Sequence, residues 1–418
     1  MSSSAPADAA SRRNSLLGSL VFFDWWIRLQ QRVAGLTSTQ RRSVLGIAIA
    51  LGVAARMWAQ SLPGNWDFGQ WVNVSNAALA GVDPYATYGY NYPPPWLAVL
   101  TGFQAAATDE TQFRLMIAIL LTLTDVGICL LLVRRGYLLA GVLFILSPIS
   151  IAISGQHQQV ESIALFLAFA GALMLSGRSQ RPISGVDWVA ALLIGLSLAF
   201  KPVFLLFPLW LLIRRGPLAR RLLLGAVPFA VLGASVLAAF LAYPPAEVIQ
   251  RIFGHGGTNN APLINALVPN QLAPWVIEVG GPKVIFVVLL VLSAWLFRNL
   301  DVFEMSLAYT VSAVLFAWAM ANQYLLTPMA AVAVYLNIGF VVWLLLSTIY
   351  LGGAADILNI WGLREIQPHI MLDWTKVFQD LFPWFLIGWV VMVIGMLKHR
   401  VNQDQNGASR MRSHDVAD

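Results

Sequence analysis

Charge is what this chain has least of. Aspartate, glutamate, lysine and arginine make up 11% of its 418 residues, against about 25% in an ordinary soluble chain. With 58% hydrophobic residues and a mean hydropathy of +0.70, that scarcity excludes a water-soluble globular domain. Lysine is nearly missing, with positions 201, 283, 376 and 398 alone among 26 basic residues. The remaining basic residues are arginines gathered mostly in short loops and in both tails. The net charge of +6 therefore reads as membrane topology, and no basic face suggests nucleic-acid binding. The single cysteine, Cys129, lies inside an apolar run and excludes an internal disulfide. The polar opening segment is followed by no cleavage site, so no signal peptide is expected.

What the chain does have is apolar runs near bilayer-spanning length, roughly 20 residues each, recurring between residues 44 and 397. The alternating pattern of an outer-membrane barrel is absent. Backbone groups in lipid must be satisfied internally, so the spans are helices. The expected fold is an all-α polytopic membrane protein. Residues 1–43 form a cytoplasmic tail, in which 16–33 is amphipathic and suits an interfacial helix; 44–397 form the transmembrane domain and 398–418 a polar cytoplasmic tail.

Arginine placement orients the spans. Arg12, Arg13, Arg28, Arg32, Arg41 and Arg42 precede the first strong span and place the N-terminal tail inside. Segment 93–107 is short and opens with three prolines. If it crossed, Arg134 and Arg135 would fall outside, so it reads as re-entrant or interfacial, with 113–133 as the second crossing. Spans 137–153, 161–176, the pair 187–200 and 202–213, and spans 221–242, 282–297 and 303–320 then agree with the arginines at each step. Run 324–352 is read as two short crossings breaking near Asn337, which brings the total to about 11–12 and returns the tail inside. The outer side then holds the first loop (63–112), a long loop (243–281), a further loop (353–381), and most of the polar residues that are not arginine.

Four polar constellations stand out. The first loop carries Asp67 beside a helix expected over 68–80, stopped by Gly81 and the Asp83-Pro84 pair. Asp67 is either a helix cap or a site residue, and the loop alone leaves both open. Residues 155–161 gather Gln156, His157, Gln158, Gln159 and Glu161 at a helix–helix corner, which is either a solvated turn or a site. Lys201, flanked by apolar runs and followed by Pro202, lines a cavity or else snorkels to the interface. The segment Asn322-Gln323-Tyr324 tops a span, and the long loop with His255 has the composition of a binding loop or of a plain connection.

Taken in order, these pieces resemble the GT-C glycosyltransferases that use polyprenyl-phosphate sugars, above all the dolichyl-phosphate-mannose-dependent GPI mannosyltransferase family and its bacterial relatives. The resemblance rests on Asp67, then Gly81-Val82-Asp83-Pro84-Tyr85, Tyr90-Asn91-Tyr92-Pro93-Pro94, the Glu161-Ser162 corner, Lys201-Pro202 and Gln323-Tyr324-Leu325, and covers roughly residues 45–400. Some relatives carry Asp-x-Asp where this chain has Asn65-Trp66-Asp67. That leaves one strong acid and weakens the case for a divalent cation held by paired carboxylates.

The resemblance implies an inverting transfer of a hexose, mannose preferred, to a lipid-linked or envelope glycan acceptor. The transfer would occur on the extracytoplasmic face of a membrane, by the bacterial likeness a plasma membrane. Asp67 would be the general base; Lys201, His157 and Gln323 would bind the donor phosphate. Tyr85, Tyr90, Tyr92, Trp96, Gln156, Glu161 and His255 would contact substrate, and no cofactor is expected. The competing class is a polytopic transporter or lipid-linked-sugar flippase. It predicts internal repeats and acids within spans; no clear repeat is found, and Asp125 is the one acid well inside a crossing.

Overall fold

The computed structural model describes residues 23–62, 66–178, 181–254, 280–319, 321–354 and 379–398, with four isolated positions between 263 and 276. Among these the chain is all-helical, with no strand. Four helices are long and apolar enough to cross a membrane: α2 (Ser38–Ser61), α6 (Glu110–Arg134), α12 (Leu218–Ala239) and α18 (Gln379–Lys398). Two bent pairs raise that number to six. One is α7 (Leu138–Leu146) with α8 (Pro148–Ile151) and the π turn Ala152–Gln156, bent by 49°. The other is α10 (Gly185–Phe200) with a 3₁₀ turn and α11 (Phe207–Ile213), bent by 112°. The chain is thus a membrane protein by its helices.

Length separates these from the other apolar helices, α9 (Glu161–Leu175), α14 (Gly281–Phe297), α15 (Val302–Leu315) and α17 (Ile338–Ala354). At 1.5 Å per residue they run roughly 21 to 26 Å, short of a hydrocarbon core of about 30 Å. Prolines, the π turn and polar corners cut them short, which is why a tally by apolar runs exceeds a tally by helix length. The segment read as re-entrant is α5 (Pro94–Ala106), about 20 Å long and too short to span. Of the expected two crossings in run 324–352, the break near Asn337 is found, while the helix before it is only about 9 Å long. Helix α16 (Met329–Val334) stops, and α17 begins at Ile338.

The break at Asn337 is fully satisfied. Its amide donates to the carbonyls of Tyr335 (3.1 Å) and Gly388 (3.0 Å), and its oxygen accepts the Phe340 N–H (3.3 Å). Gly339 and Gly388 let α17 and α18 touch here: a Cβ on Gly339 would meet the Gly388 nitrogen at 2.4 Å. On the other side, helix α1 (Phe23–Ala34) is more than an interfacial rider. Trp26 Nε1 donates to Ala333 O (3.0 Å) and Gln30 Nε2 to Val334 O (2.9 Å), occupying carbonyls that the end of α16 leaves open.

The arginines meet at one end of the bundle. Arg220 and Arg178 pair with Asp187, and Arg135 pairs with Asp301 at 3.0 Å. Asp301 also accepts the Gly177 N–H (3.1 Å). These bonds tie together the ends of α6, α9, α10, α12 and α15. The polar corner at 156–161 lies at the other end of α6, beside Arg114, whose carbonyl accepts from Gln158 Nε2 (2.9 Å).

Between the two ends sits a buried ion pair. Arg56 of α2 and Asp125 of α6, both wholly inaccessible, meet at 2.8 Å. Arg56 also donates to Gly52 O (2.9 Å), Ile145 O (2.8 Å) and Ser150, while Asp125 accepts from Ser150 (3.3 Å) and Ser162 (2.7 Å). Every charge is thereby met. Gly155 allows the π turn to lie against α2, since a Cβ there would stand 3.0 Å from Ala59 Cβ and Arg56 O. Arg56→Met leaves Asp125 buried and unpaired, an error that costs about 3–5 kcal/mol. Thermal unfolding of purified protein in detergent should therefore drop sharply, and the added change Asp125→Leu should recover much of the loss.

Candidate functional site

The site is built on the break at Lys201. Pro202 cannot continue a helix and disfavours helical geometry in the residue before it. Phe200 accordingly ends α10, and Lys201 is extended (φ −155°, ψ 127°). Its side chain is 8% exposed, so it does not snorkel to an interface. The ammonium pairs with the Glu161 carboxylate and donates to Tyr92 Oη (3.4 Å). It also lies over the rings of Tyr92 (5.0 Å) and Tyr324 (5.7 Å), a cation–π cage that helps hold a desolvated cation.

Tyr92 reaches this position because the first loop folds back on itself. Asp83 caps α4 (Pro84–Tyr88), accepting the Tyr85 and Ala86 N–H groups, and Gly89 ends the helix in the left-handed region (φ 66°). Tyr85 Oη then donates to Tyr92 O (3.2 Å), and Tyr90 packs against Tyr85 with ring centres 5.3 Å apart. Trp71 of α3 (Trp66–Leu79) stands edge-on to Tyr92 and to Trp96 at 5.3 and 5.9 Å. Of the aromatics singled out in the sequence, Tyr92 lines the open cleft. Tyr85, Tyr90 and Trp96 are buried behind it.

That cleft has a volume of about 260 Å³. Its polar lining is Asn91, Tyr92, Lys201, Gln323, Tyr324 and Thr327; its apolar lining includes Val203, Leu205, Ile252, Phe286, Val314 and Trp318. Ile252 comes from the long loop, which is not a plain connection at its start. It forms an amphipathic helix, α13 (Pro245–Gly254), with Val248 and Ile252 turned inward. His255 and Asn65 lie outside the described residues.

Asp67 lies in the first turn of α3, one residue inside the helix and partly exposed. Burial first, then the charges of Glu161 and Asp67, push the Tyr92 phenol well above its usual range. Asp67 also acts electrostatically on Glu161. The two acids of the expected site thus act on one another, and Glu161 is paired with Lys201. Among the described residues no group of three or more His, Cys, Asp or Glu side chains could hold a metal ion.

The corner at 156–161 is more buried than a solvated turn. Gln156, His157, Gln158, Gln159 and Glu161 are each at most 3% exposed. Arg114 braces it by donating to Gln156 O (3.3 Å), and Trp71 Nε1 donates to Gln158 O (3.0 Å). Tyr324, Trp71 and Arg114 were not singled out as site residues. The Gln-Tyr pair at 323–324 carried the signal for Tyr324, whereas nothing in the sequence distinguishes Trp71 from the other 15 tryptophans.

No protein-family model matches the chain, and no curated protein matches it either. A lysine in a largely apolar cleft suits an anionic head on a lipid tail, and a partly exposed carboxylate nearby suits proton acceptance from a hydroxyl.

Burial lowers the His157 pKa from 6.5 to about 4, so its ring is neutral near pH 7. The unfolded chain takes up this proton near 6.5, the folded chain only near 4. The neutral ring's contribution is whole above pH 6.5 and is lost on acidification through that window. Unfolding followed against pH should show wild type losing up to ~1.4 kcal/mol per unit relative to His157→Gln between those values.

Proposed function

We propose that this chain is an integral-membrane glycosyltransferase of GT-C-like architecture that moves a hexose from a polyprenyl-phosphate donor to a lipid-linked or envelope glycan hydroxyl. The observation that carries the reading is the cleft, which joins a buried lysine and its tyrosines to an apolar wall. The polyprenyl tail lies along Val203, Leu205, Ile252 and Phe286. The donor phosphodiester meets Lys201, with Tyr92 and Gln323 as neutral donors beside it. His157, being neutral, offers at most a hydrogen bond and no charge.

Asp67 accepts the proton of the acceptor hydroxyl as that oxygen attacks the anomeric carbon. The new carbon–oxygen bond forms as the bond to the phosphate oxygen breaks. The electron pair leaves with polyprenyl phosphate, and the configuration inverts. Mannose, some 11–12 crossings, and an active site facing the extracytoplasmic side of a bacterial plasma membrane belong to this reading through the ordered motifs and the arginine distribution. Membrane lipids surround the bundle, and no metal or cofactor enters the scheme.

One observation favours a second reading. Helices broken around a buried lysine, as at Lys201, also occur at the substrate sites of transporters and flippases. Transfer separates the two. Membranes carrying wild type should move label from radiolabelled polyprenyl-phosphate mannose to lipid or glycan, and Asp67→Asn should slow this by roughly 10²–10⁴-fold, the usual worth of a general base. Undiminished transfer in the mutant removes Asp67 as the base. Donor lipid crossing the bilayer with no sugar transferred favours the flippase.

A further inference from the structure

The corner that follows the π turn holds polar atoms that the reaction as described does not use. His157 Nδ1, Gln158 Oε1, Glu161 Oε2 and both amide atoms of Gln159 are buried with no hydrogen-bond partner among the described residues. Buried polar atoms are nearly always paired, so five within five residues call for a partner. The backbone here is also unusual. Residues Ala152–Gln156 form a π turn, and Gln158 is the one described non-glycine residue at positive φ, 56°. Both features cost energy and recur at functional sites.

The chemistry of the set is specific. Three of the five are carboxylate or amide oxygens that accept, Gln159 Nε2 donates, and the neutral His157 Nδ1 does either according to its tautomer. A phosphate offers acceptors and would find little here; a ring of hydroxyls offers donors and can also accept. The neutral His157 ring adds no charge to attract an anion. Glu161 joins this corner to the cleft: its Oε1 pairs with Lys201, which lines the cleft, while Oε2 is left over.

We propose that the turn His157–Glu161 is the sugar subsite, in which Gln158, Gln159, His157 Nδ1 and Glu161 Oε2 hold the hydroxyls of the donor hexose while Lys201 holds its phosphate. This rests on the polyprenyl-phosphate reading above. It divides the donor in two, with the anion at Lys201 and the neutral ring at the glutamine corner. Gln159 then decides whether the lipid carries a sugar, and contributes nothing to binding of the bare lipid phosphate.

The test is equilibrium binding to the full-length protein in detergent, with undecaprenyl-phosphate mannose and undecaprenyl phosphate as the two probes. Wild type should bind the mannosylated lipid about tenfold or more tighter, one or two well-placed hydrogen bonds being worth that much. Gln159→Met should shrink the ratio to within about threefold and leave affinity for undecaprenyl phosphate unchanged. Equal affinity of wild type for the two probes overturns the subsite without any mutant, as does a mutant that keeps the full preference. Stabilisation of wild type by Mn²⁺ alone, lost in Gln159→Met, makes the corner a cation site and also overturns it. If wild type binds neither lipid, the donor reading itself falls, an outcome distinct from the others.

Discussion

The buried pair between Arg56 and Asp125 is the constraint on which the site depends. Helices in lipid gain little from hydrophobic contact with one another, because lipid tails are as apolar as leucine; packing and interhelical hydrogen bonds decide their arrangement. Here one guanidinium joins α2 to the Ile145 carbonyl of α7 and to Ser150 of α8, while its carboxylate partner takes Ser150 and Ser162. Ser162 is the second residue of α9, and Glu161, the first, pairs with Lys201. One helical turn thus connects the two buried ion pairs. The lower pair fixes the rotation and depth of α9, and that placement delivers the Glu161 carboxylate to the break in α10. A buried pair is weak evidence of stability, since desolvation offsets much of its attraction. Its worth here is register.

Much of the helix plan could be read from local chemistry. Pro202 predicted the break at Lys201, and the polar Asn337 predicted the break between α16 and α17, because both effects act within a few residues. The expected helix over 68–80 runs Trp66–Leu79, close to its predicted bounds. What escaped was long-range. Arg56 hides inside the first apolar run and gains meaning only when Asp125, in another run, is known to face it; two opposite charges within spans were the available signal. The folding of the first loop was also hidden, since local sequence does not say which of four aromatics faces the cleft and which three support it. The amphipathic stretch at α1 suggests only an interfacial position, whereas Trp26 and Gln30 serve the end of α16.

The polar corner shows why burial, which sequence cannot supply, changed the weight of a motif. Gln156 to Glu161 is unremarkable as a wet turn and expensive as a dry one. Arg114 at the start of α6 and Trp71 of α3 close over it from two sides through backbone carbonyls. They hold the chain, and of the Gln158 and Gln159 side chains only Gln158 Nε2 is engaged, by the Arg114 carbonyl. The same two helices meet beside Asp67, where the next residue, Phe68, packs on Phe113 and lies under Arg114.

On the proposed reading, the charges at the cleft also bear on which lipid leaves. Lys201 brings one positive charge, and Glu161 and Asp67 bring one negative charge each within electrostatic reach of one another. The donor is a phosphodiester with a single negative charge. After transfer the lipid is a monoester carrying roughly 1.5 to 2 negative charges near neutral pH. The extra charge meets the Glu161 carboxylate, and Asp67 as well once it has released the acceptor's proton, beside a partly desolvated cleft where like charges repel more strongly than in bulk water. The same residues that accept the donor therefore hold the spent lipid less well, and loss of the sugar also removes its hydrogen bonds to the glutamine corner. A second acid beside Asp67 then disfavours both anions, the more highly charged spent lipid more than the donor. It biases the site toward the less charged, sugar-bearing form and toward release of the product.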